Sequence, residues 1–390
     1  MRILHVIGSV APRYGGPSYA ALDMCTALAE RGHEVELFTT TIDGPRNLAV
    51  PVGVQLARDG FAITYFPPSR PRAYSASPEL ARALGRRVAA FDLVEVHNLY
   101  LFHGAAAAFV CRRRGVPYVV CPHGTLDPYQ RAFDRRKKAV YDLLVERRNL
   151  RRAGGIHCTS RAERDAVVTA GVPAHPYIVP LAVRLAPFER AADPAQLLVD
   201  RPELDGRTLV TFLGRLARKK RLDVLVEAFA GVAGVAPDAH LAIAGPDDEG
   251  VGARVRDLAA RRGLDGRISL LGMVDGEEKV ALIQRSALFV LPSEDENFAV
   301  SLLEAMAAGV PVVTTEGVAI HDEIRSAAAG LVVPLTVETI AKALSDLLQN
   351  RDLARRLGDN GRRLARSAFA WERLGSNLER MYAEVLQRCG

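Results

Sequence analysis

The chain has 390 residues, 49% of them hydrophobic, which is ample for two packed cores and corresponds to roughly two to three domains. Its charge is uneven: residues 1–180 carry 24 Lys and Arg against 15 Asp and Glu, a net +9, while residues 181–390 carry 27 against 30, a net −3. No run approaches the ~18 apolar residues of a membrane-crossing helix, and the five scattered cysteines (Cys25, Cys111, Cys121, Cys158, Cys389) form no Cys-x-x-Cys and have no His at metal spacing, which argues for a reducing cytosol and against a zinc site.

Strands are predicted near residues 2–8, 34–40, 61–66, 92–97, 117–121, 155–159 and 176–180, with helices such as 18–31 and 78–90 between most of them. That alternation is the pattern of a parallel sheet. The opening run, Met1-Arg2-Ile3-Leu4-His5-Val6-Ile7-Gly8, is short and contains His, so it reads as a first buried strand and not as a signal peptide. Arg13-Tyr14-Gly15-Gly16-Pro17-Ser18 follows. Paired glycines let a backbone come close to a phosphate or sugar, and Pro17-Ser18 suits a helix start, although a plain tight turn would use the same residues. His33, in the lead to the second strand, reads as packing. The fifth strand ends in Cys121-Pro122-His123-Gly124-Thr125, and a His held between Pro and Gly at a strand mouth points into a cleft. His97 and His103 flank the fourth strand without a motif.

Residues 131–152 form the densest basic segment, with Arg131, Arg135, Arg136, Lys137, Lys138, Arg147, Arg148, Arg151 and Arg152 against three acids. Phe133, Val140, Tyr141, Leu143, Leu144, Val145 and Leu150 give it an apolar helical stripe. It is either a core helix with a solvated basic face or a surface for anionic membrane lipid or a lipid-linked diphosphate. Nucleic acid is a weaker partner, because no binding motif accompanies the charge.

Residues 180–202, rich in Ala, Pro and Asp, read as a linker. A second series then starts at 208–214, with strands near 239–245, 267–272, 287–291, 311–314 and 329–333, and tail helices over 337–349, 352–366 and 371–388. Neither half has Gly-x-Gly-x-x-Gly after its first strand, which disfavours a dinucleotide oxidoreductase. In Phe212-Leu213-Gly214-Arg215-Leu216-Ala217-Arg218-Lys219-Lys220-Arg221, two cations five residues apart at a strand end can grip both phosphates of a nucleotide diphosphate. Arg215 would do so through its planar fork and Lys220 as a point charge. The same four-residue basic run could be a solvated face. No Asp-x-Asp precedes a strand end as in metal-dependent sugar transferases, and Asp247-Asp248 lies in a loop without that context.

The richest stretch runs from Pro292 to Met306, then Gly309-Val310-Pro311-Val312-Val313-Thr314. Glu296 and Glu304 stand eight residues apart across a strand-to-helix turn, and Glu304 sits in an otherwise apolar helix where a charge needs a partner. Such a turn is where open α/β sheets bind ligands, and the helix it opens offers free N–H groups to an anion. The string Glu-x-Phe-x5-Glu-Ala-Met-Ala-x-Gly-x-Pro-Val-Val resembles the Glu-x7-Glu signature of the retaining GT-B glycosyltransferases of family GT4. With the motifs above, the resemblance covers essentially the whole chain.

That resemblance implies a GT-B fold, two Rossmann-like domains with parallel sheets facing across a cleft that closes for catalysis. Residues 1–190 would be the acceptor-binding domain, with helix 372–390 packing back on it, and 191–371 the nucleotide-sugar domain. The implied reaction is retaining, metal-independent transfer of a hexose-type sugar from a UDP- or GDP-sugar to a hydroxyl of a glycan or lipid-linked acceptor, in surface polysaccharide or glycoconjugate synthesis. The nucleotide sugar is a co-substrate, and no cofactor is implied. His123 would sit beside the donor sugar, Arg215 and Lys220 on the leaving diphosphate, Glu296 on the sugar ring and Glu304 on the ribose. Gly15, Gly16, Asn297, Phe298, Ala299 and Val300 would line the donor, while Gly245, Met273 and Val274 hold base and ribose mostly through backbone. The chain departs from the family at Arg221 and Ala299, where Gly is usual. A cytoplasmic protein is expected, with a peripheral seat on the inner membrane face through 131–152. The competing readings are a non-catalytic sugar-nucleotide-binding protein, a sugar-nucleotide epimerase, and a phosphorylase, whose cofactor lysine is not found.

Overall fold

A computed structural model describes residues 1–127 and 135–389, and the side chains of all of these except 135–137. Arg131 and Phe133, and the side chains of Arg135, Arg136 and Lys137, therefore lie outside the described residues. The chain divides into two compact units, Met1–Leu181 with Glu372–Gly390, and Ala182–Trp371. The change from one to the other falls at 181/182, inside the 180–202 linker and ahead of the 190/191 bound that the resemblance implies. Val183 is already tied into the second unit, its N–H donating to the Phe369 carbonyl (2.8 Å) and its carbonyl accepting from the Trp371 N–H (3.1 Å).

The first unit contains β1 (Arg2–Ser9), β2 (Glu34–Thr40), β3 (Ile42–Asp43), β4 (Arg46–Asn47), β5 (Gln55–Arg58), β6 (Phe61–Phe66), β7 (Leu93–His97), β8 (Tyr118–Cys121), β9 (Gly155–Cys158) and β10 (Pro176–Ile178). Eight of them form one sheet in the order β10-β9-β8-β7-β1-β2-β6-β5. All pairs are parallel except β5 on β6. A strand covered on both faces reads as an unbroken apolar run, and Ile3 to Gly8 are all buried. Strands β3, β4 and β5 escape sequence reading because they are short and mostly exposed, so they carry no apolar alternation. Helix starts follow capping chemistry: Ser77 Oγ accepts from the Leu80 N–H, and Ser160 Oγ from the Glu163 N–H. The tail helix Trp371–Cys389 buries Leu374, Leu378, Met381, Tyr382 and Val385, a stripe at helical spacing. Gly154 permits its close approach, since a Cβ there would lie 2.7 Å from Val385 Cγ1.

The second unit carries β11 (Thr208–Leu213), β12 (Ala239–Ala244), β13 (Ile268–Gly272), β14 (Ser286–Leu291), β15 (Val312–Thr315) and β16 (Gly330–Val333). They form a wholly parallel sheet in the order β13-β12-β11-β14-β15-β16. The stretch read as a linker carries two short helices, Ala186–Glu189 and Ala195–Asp200, and no named strand. Among the parallel strands of each sheet the order reverses once, between β1 and β7 in the first and between β11 and β14 in the second. The carboxyl ends of the strands beside such a reversal are where open α/β sheets hold ligands. No described helix is long and apolar enough to cross a membrane.

Candidate active site

The reversal in the second sheet places two loops together, 214–221 after β11 and 292–299 after β14. Backbone bonds lock them: the Glu294 N–H donates to the Lys219 carbonyl (2.8 Å), and the Leu216 N–H to the Pro246 carbonyl (2.8 Å). The Gly245 N–H donates to the Gly272 carbonyl (2.7 Å), which brings in the loop that carries Met273 and Val274. Gly245 is required by crowding, because a Cβ there would lie 2.0 Å from the Gly214 carbonyl oxygen. Glu296 is strapped on both sides, donating its N–H to the Gly317 carbonyl (2.8 Å) and accepting from the Ala319 N–H (2.9 Å).

Side chains then converge on this frame. Lys220, almost wholly buried, pairs with Glu296 Oε2, and Lys219 Nζ lies 3.2 Å from Asp295 Oδ2. Burial alone would raise the Glu296 carboxyl, but Lys220, Lys219 and Arg215 more than offset it, so the group is held below the usual carboxylate range. Arg215 makes no hydrogen bond or ion pair among the described residues, so its fork is open to an anion. Helix Val300–Ala308 starts from Ala299 and has no acid in its first turn, which leaves its positive end uncompensated. Further along that helix, Glu304 Oε1 accepts from Lys279 Nζ at 2.5 Å.

The structure thus joins Arg215, Lys220 and Glu296 into one cluster and puts Glu304 in a separate pair. Phe298 is buried edge-on against Phe369 (ring centroids 5.8 Å), so only its backbone is available to a donor. Val274 is likewise buried, whereas Met273 is exposed. Lys279 was not singled out from sequence. The signal was Glu304 itself, a carboxylate in an apolar helix that needed a cation.

In the first unit, Gly15 and Gly16 lie after β1, and a Cβ at either would meet nothing within 4 Å. Gly15 has φ +68° and ψ −136°, a conformation essentially reserved for glycine. His123 follows β8 and is half-buried, with its Nε2 at 2.9 Å from His97 Nδ1 and its Nδ1 at 3.8 Å from Cys121 Sγ. His97 and His103 are fully buried and face no solvent.

Beside them Glu95 Oε1 accepts from His157 Nδ1 (2.8 Å), His157 Nε2 donates to the Val179 carbonyl (2.9 Å), and Tyr382 donates its hydroxyl to Glu95 Oε2. Both nitrogens of His157 face acceptors, so this ring is the protonated partner of a buried ion pair; although burial lowers its pKa, Glu95 raises it further. The polar layer brings Cys121 next to His97 and His123, and also next to Glu95 and His157, with candidate ligand atoms within 4.8 Å of one another. The imidazole contact within these groups, His97 Nδ1 to His123 Nε2, has hydrogen-bond geometry: it is 2.9 Å, whereas two nitrogens about 2.05 Å from a tetrahedral zinc lie roughly 3.3 Å apart.

Comparison with known proteins gives the family and the fold. Residues 15–182 match the glycosyl transferase 4-like domain, and residues 198–364 match glycosyl transferases group 1. A D-inositol 3-phosphate glycosyltransferase of Salinispora tropica is 28% identical over 95% of this chain and 81% of that protein. Alpha-D-kanosaminyltransferase of Streptomyces kanamyceticus is 27% identical over 72% of this chain and 75% of that protein. Among solved structures, sucrose-phosphate synthase of Thermosynechococcus elongatus superposes with TM-score 0.80 at 21% identity, covering 99% of this chain and 100% of that one. Anabaena HepE in complex with UDP and glucose gives TM-score 0.80 at 17% identity, covering 98% and 99%. The two units therefore have the GT-B fold, and the chain belongs to the group 1 glycosyltransferases of family GT4.

Proposed function

We propose that this glycosyltransferase takes a hexose-type sugar from a UDP- or GDP-sugar and places it, with retention and without a divalent metal, on a hydroxyl of a glycan or lipid-linked acceptor. The observation that carries this reading is the Arg215–Lys220–Glu296 cluster at the reversal of the second sheet. Breaking a glycosyl–phosphate bond loads negative charge onto the leaving diphosphate, and fixed cations at that point stabilise it in the transition state. Arg215 offers an unpaired guanidinium, Lys220 an ammonium fixed in direction by Glu296, and helix Val300–Ala308 its positive end. Glu296, kept ionised, accepts hydrogen bonds from the donor sugar, and Glu304 from the ribose. His123 lines the sugar site. A UDP-type donor is in line with the complex of Anabaena HepE with UDP and glucose.

Glu304 gives the cleanest test. A charged acceptor of ribose hydroxyls contributes roughly 1.5–3 kcal/mol per bond, so Glu304→Gln should weaken UDP or GDP binding about tenfold to a hundredfold in calorimetry. Unaltered affinity would remove Glu304 from the site.

The basic segment supports a membrane seat for the same enzyme. Val140, Leu143 and Leu144 are exposed, not core, and Arg147, Arg148 and Arg151 continue the same helical face in solvent. Apolar residues beside cations on one exposed face suit the headgroup region of an anionic bilayer.

A further inference from the structure

Three imidazoles run in file through the first unit. His5 Nδ1 lies 2.9 Å from His97 Nε2, and His97 Nδ1 lies 2.9 Å from His123 Nε2. Successive rings are near-parallel, 19° and 21° apart, with centroids 5.2 Å apart in both cases. His5 on β1 and His97 on β7 are fully buried, and the file ends at half-buried His123 after β8. The transfer chemistry described above uses neither His5 nor His97.

A neutral imidazole carries one N–H and one lone pair, so the file can run in only two senses. Burial keeps all three rings neutral, with His5 lowered to about 4, His123 to about 3 and His97 well below its ordinary value. In the inward sense His123 donates to His97 and His97 to His5, which strands an N–H on His5 Nε2. That atom is buried and has no protein partner among the described residues. A buried donor without a partner is rarer than a buried unused lone pair. In the outward sense His5 donates to His97, and His97 Nδ1–H to His123 Nε2. The spare lone pair stays on His5, and the last N–H is His123 Nδ1–H. Its neighbour Cys121 Sγ, at 3.8 Å, is a weak acceptor that a sugar hydroxyl can replace.

We propose that His97 is a positioning residue: its outward-donating Nδ1–H, directed by His5, clamps the His123 ring and holds it as the Nδ1–H tautomer, so that this N–H is what the site offers a hydroxyl of the donor sugar. The proposal rests on the reading that His123 lines the donor-sugar site. It makes His123 a hydrogen-bond donor and not a base, because its only lone pair is occupied.

Ring-nitrogen shifts of the full-length protein labelled with 15N-histidine report the tautomer directly. The expected result is a proton on Nδ1 of His5, His97 and His123. A proton on Nε2 of His123 overturns the proposal, whatever the activity. Two variants supply the functional arm. An asparagine amide stands where Nδ1 stands, so His97→Asn keeps the donor to His123 and should hold kcat within about twofold. A glutamine amide stands where Nε2 stands, so His97→Gln keeps only the His5 contact and should lose about tenfold in kcat, one hydrogen bond's worth. Equal losses in the two variants overturn the proposal. If His97→Gln does not fold, the wild-type spectrum still decides. A protein that releases no nucleotide from any sugar donor contradicts the functional reading while leaving the tautomer result intact.

Discussion

Ala299 and Arg221 stand where related glycosyltransferases usually have glycine, and both adopt the left-handed backbone, φ +69° and +51°. The family's glycine is thus explained by geometry: the chain must turn left-handed as it enters the helices Val300–Ala308 and Leu222–Ala233. A side chain in that conformation costs about 1–2 kcal/mol, partly offset because glycine gains freedom in the unfolded chain. Ala299→Gly should therefore stabilise the protein by about 0.5–1 kcal/mol in denaturant unfolding, and a loss of stability would contradict the strain. Arg221 is a poorer test, because its guanidinium pairs with Asp223 (Nε to Oδ1, 3.1 Å), which compensates locally. Residue type and spacing alone mark Arg215, Lys220, Glu296 and Glu304 as candidates. They do not reveal that Lys220 pairs with Glu296 and Lys279 with Glu304, since those pairings depend on which loops the strand order brings together.

Strand β7 shows what an element adds to its residues. Leu93-Val94-Glu95-Val96-His97 reads as one buried apolar run interrupted twice, and the interruptions fall on alternate residues, hence on one face of the sheet. The neighbouring strands place His5 opposite Glu95 and Cys121 opposite His97. Two polar residues with period 2 in a buried strand were the sequence signal for this layer, but their partners come from β1, β9 and the tail helix, at separations no local pattern spans.

The layer also sets how stability responds to pH. Burial lowers His5 and His103 to about 4 and His123 to about 3, and holds His97 well down. In the unfolded chain these groups protonate near 6.5, so the unfolded state binds more protons below that point and stability must fall as pH drops. His157 has the opposite sign, raised by its pairing with Glu95. Its contribution is complete below 6.5 and is lost only as pH rises through the raised value, so it does not cancel the others in acid. The melting temperature should decline steadily from pH 7 to pH 5, and a flat or rising profile would contradict the neutral file.

At the scale of the whole molecule, the positive half and the negative half expected from sequence correspond closely to the two compact units. The parallel order was legible because buried strands and amphipathic helices alternate twice. The unit boundary was legible only to within the 180–202 stretch; its place at the start of that stretch is set by the backbone bonds from Val183 to Phe369 and Trp371. If exposed Leu143 and Leu144 with Arg147, Arg148 and Arg151 form a membrane seat, binding to anionic vesicles should drop steeply from low to physiological salt, since surface attraction acts within about 10 Å at 0.1 M. Leu143→Asp with Leu144→Asp should abolish it while turnover on a soluble acceptor persists; indifference of the wild type to anionic vesicles at low salt would refute the seat. The central claim, sugar transfer driven by fixed cations on a departing diphosphate, is tested most directly by incubating the protein with a panel of UDP- and GDP-sugars in excess EDTA and measuring nucleotide release. The account predicts release from at least one donor, undiminished by EDTA and lost on Arg215→Ala. Release only with added Mn²⁺ or Mg²⁺, or binding of nucleotide sugars with no release, would contradict it.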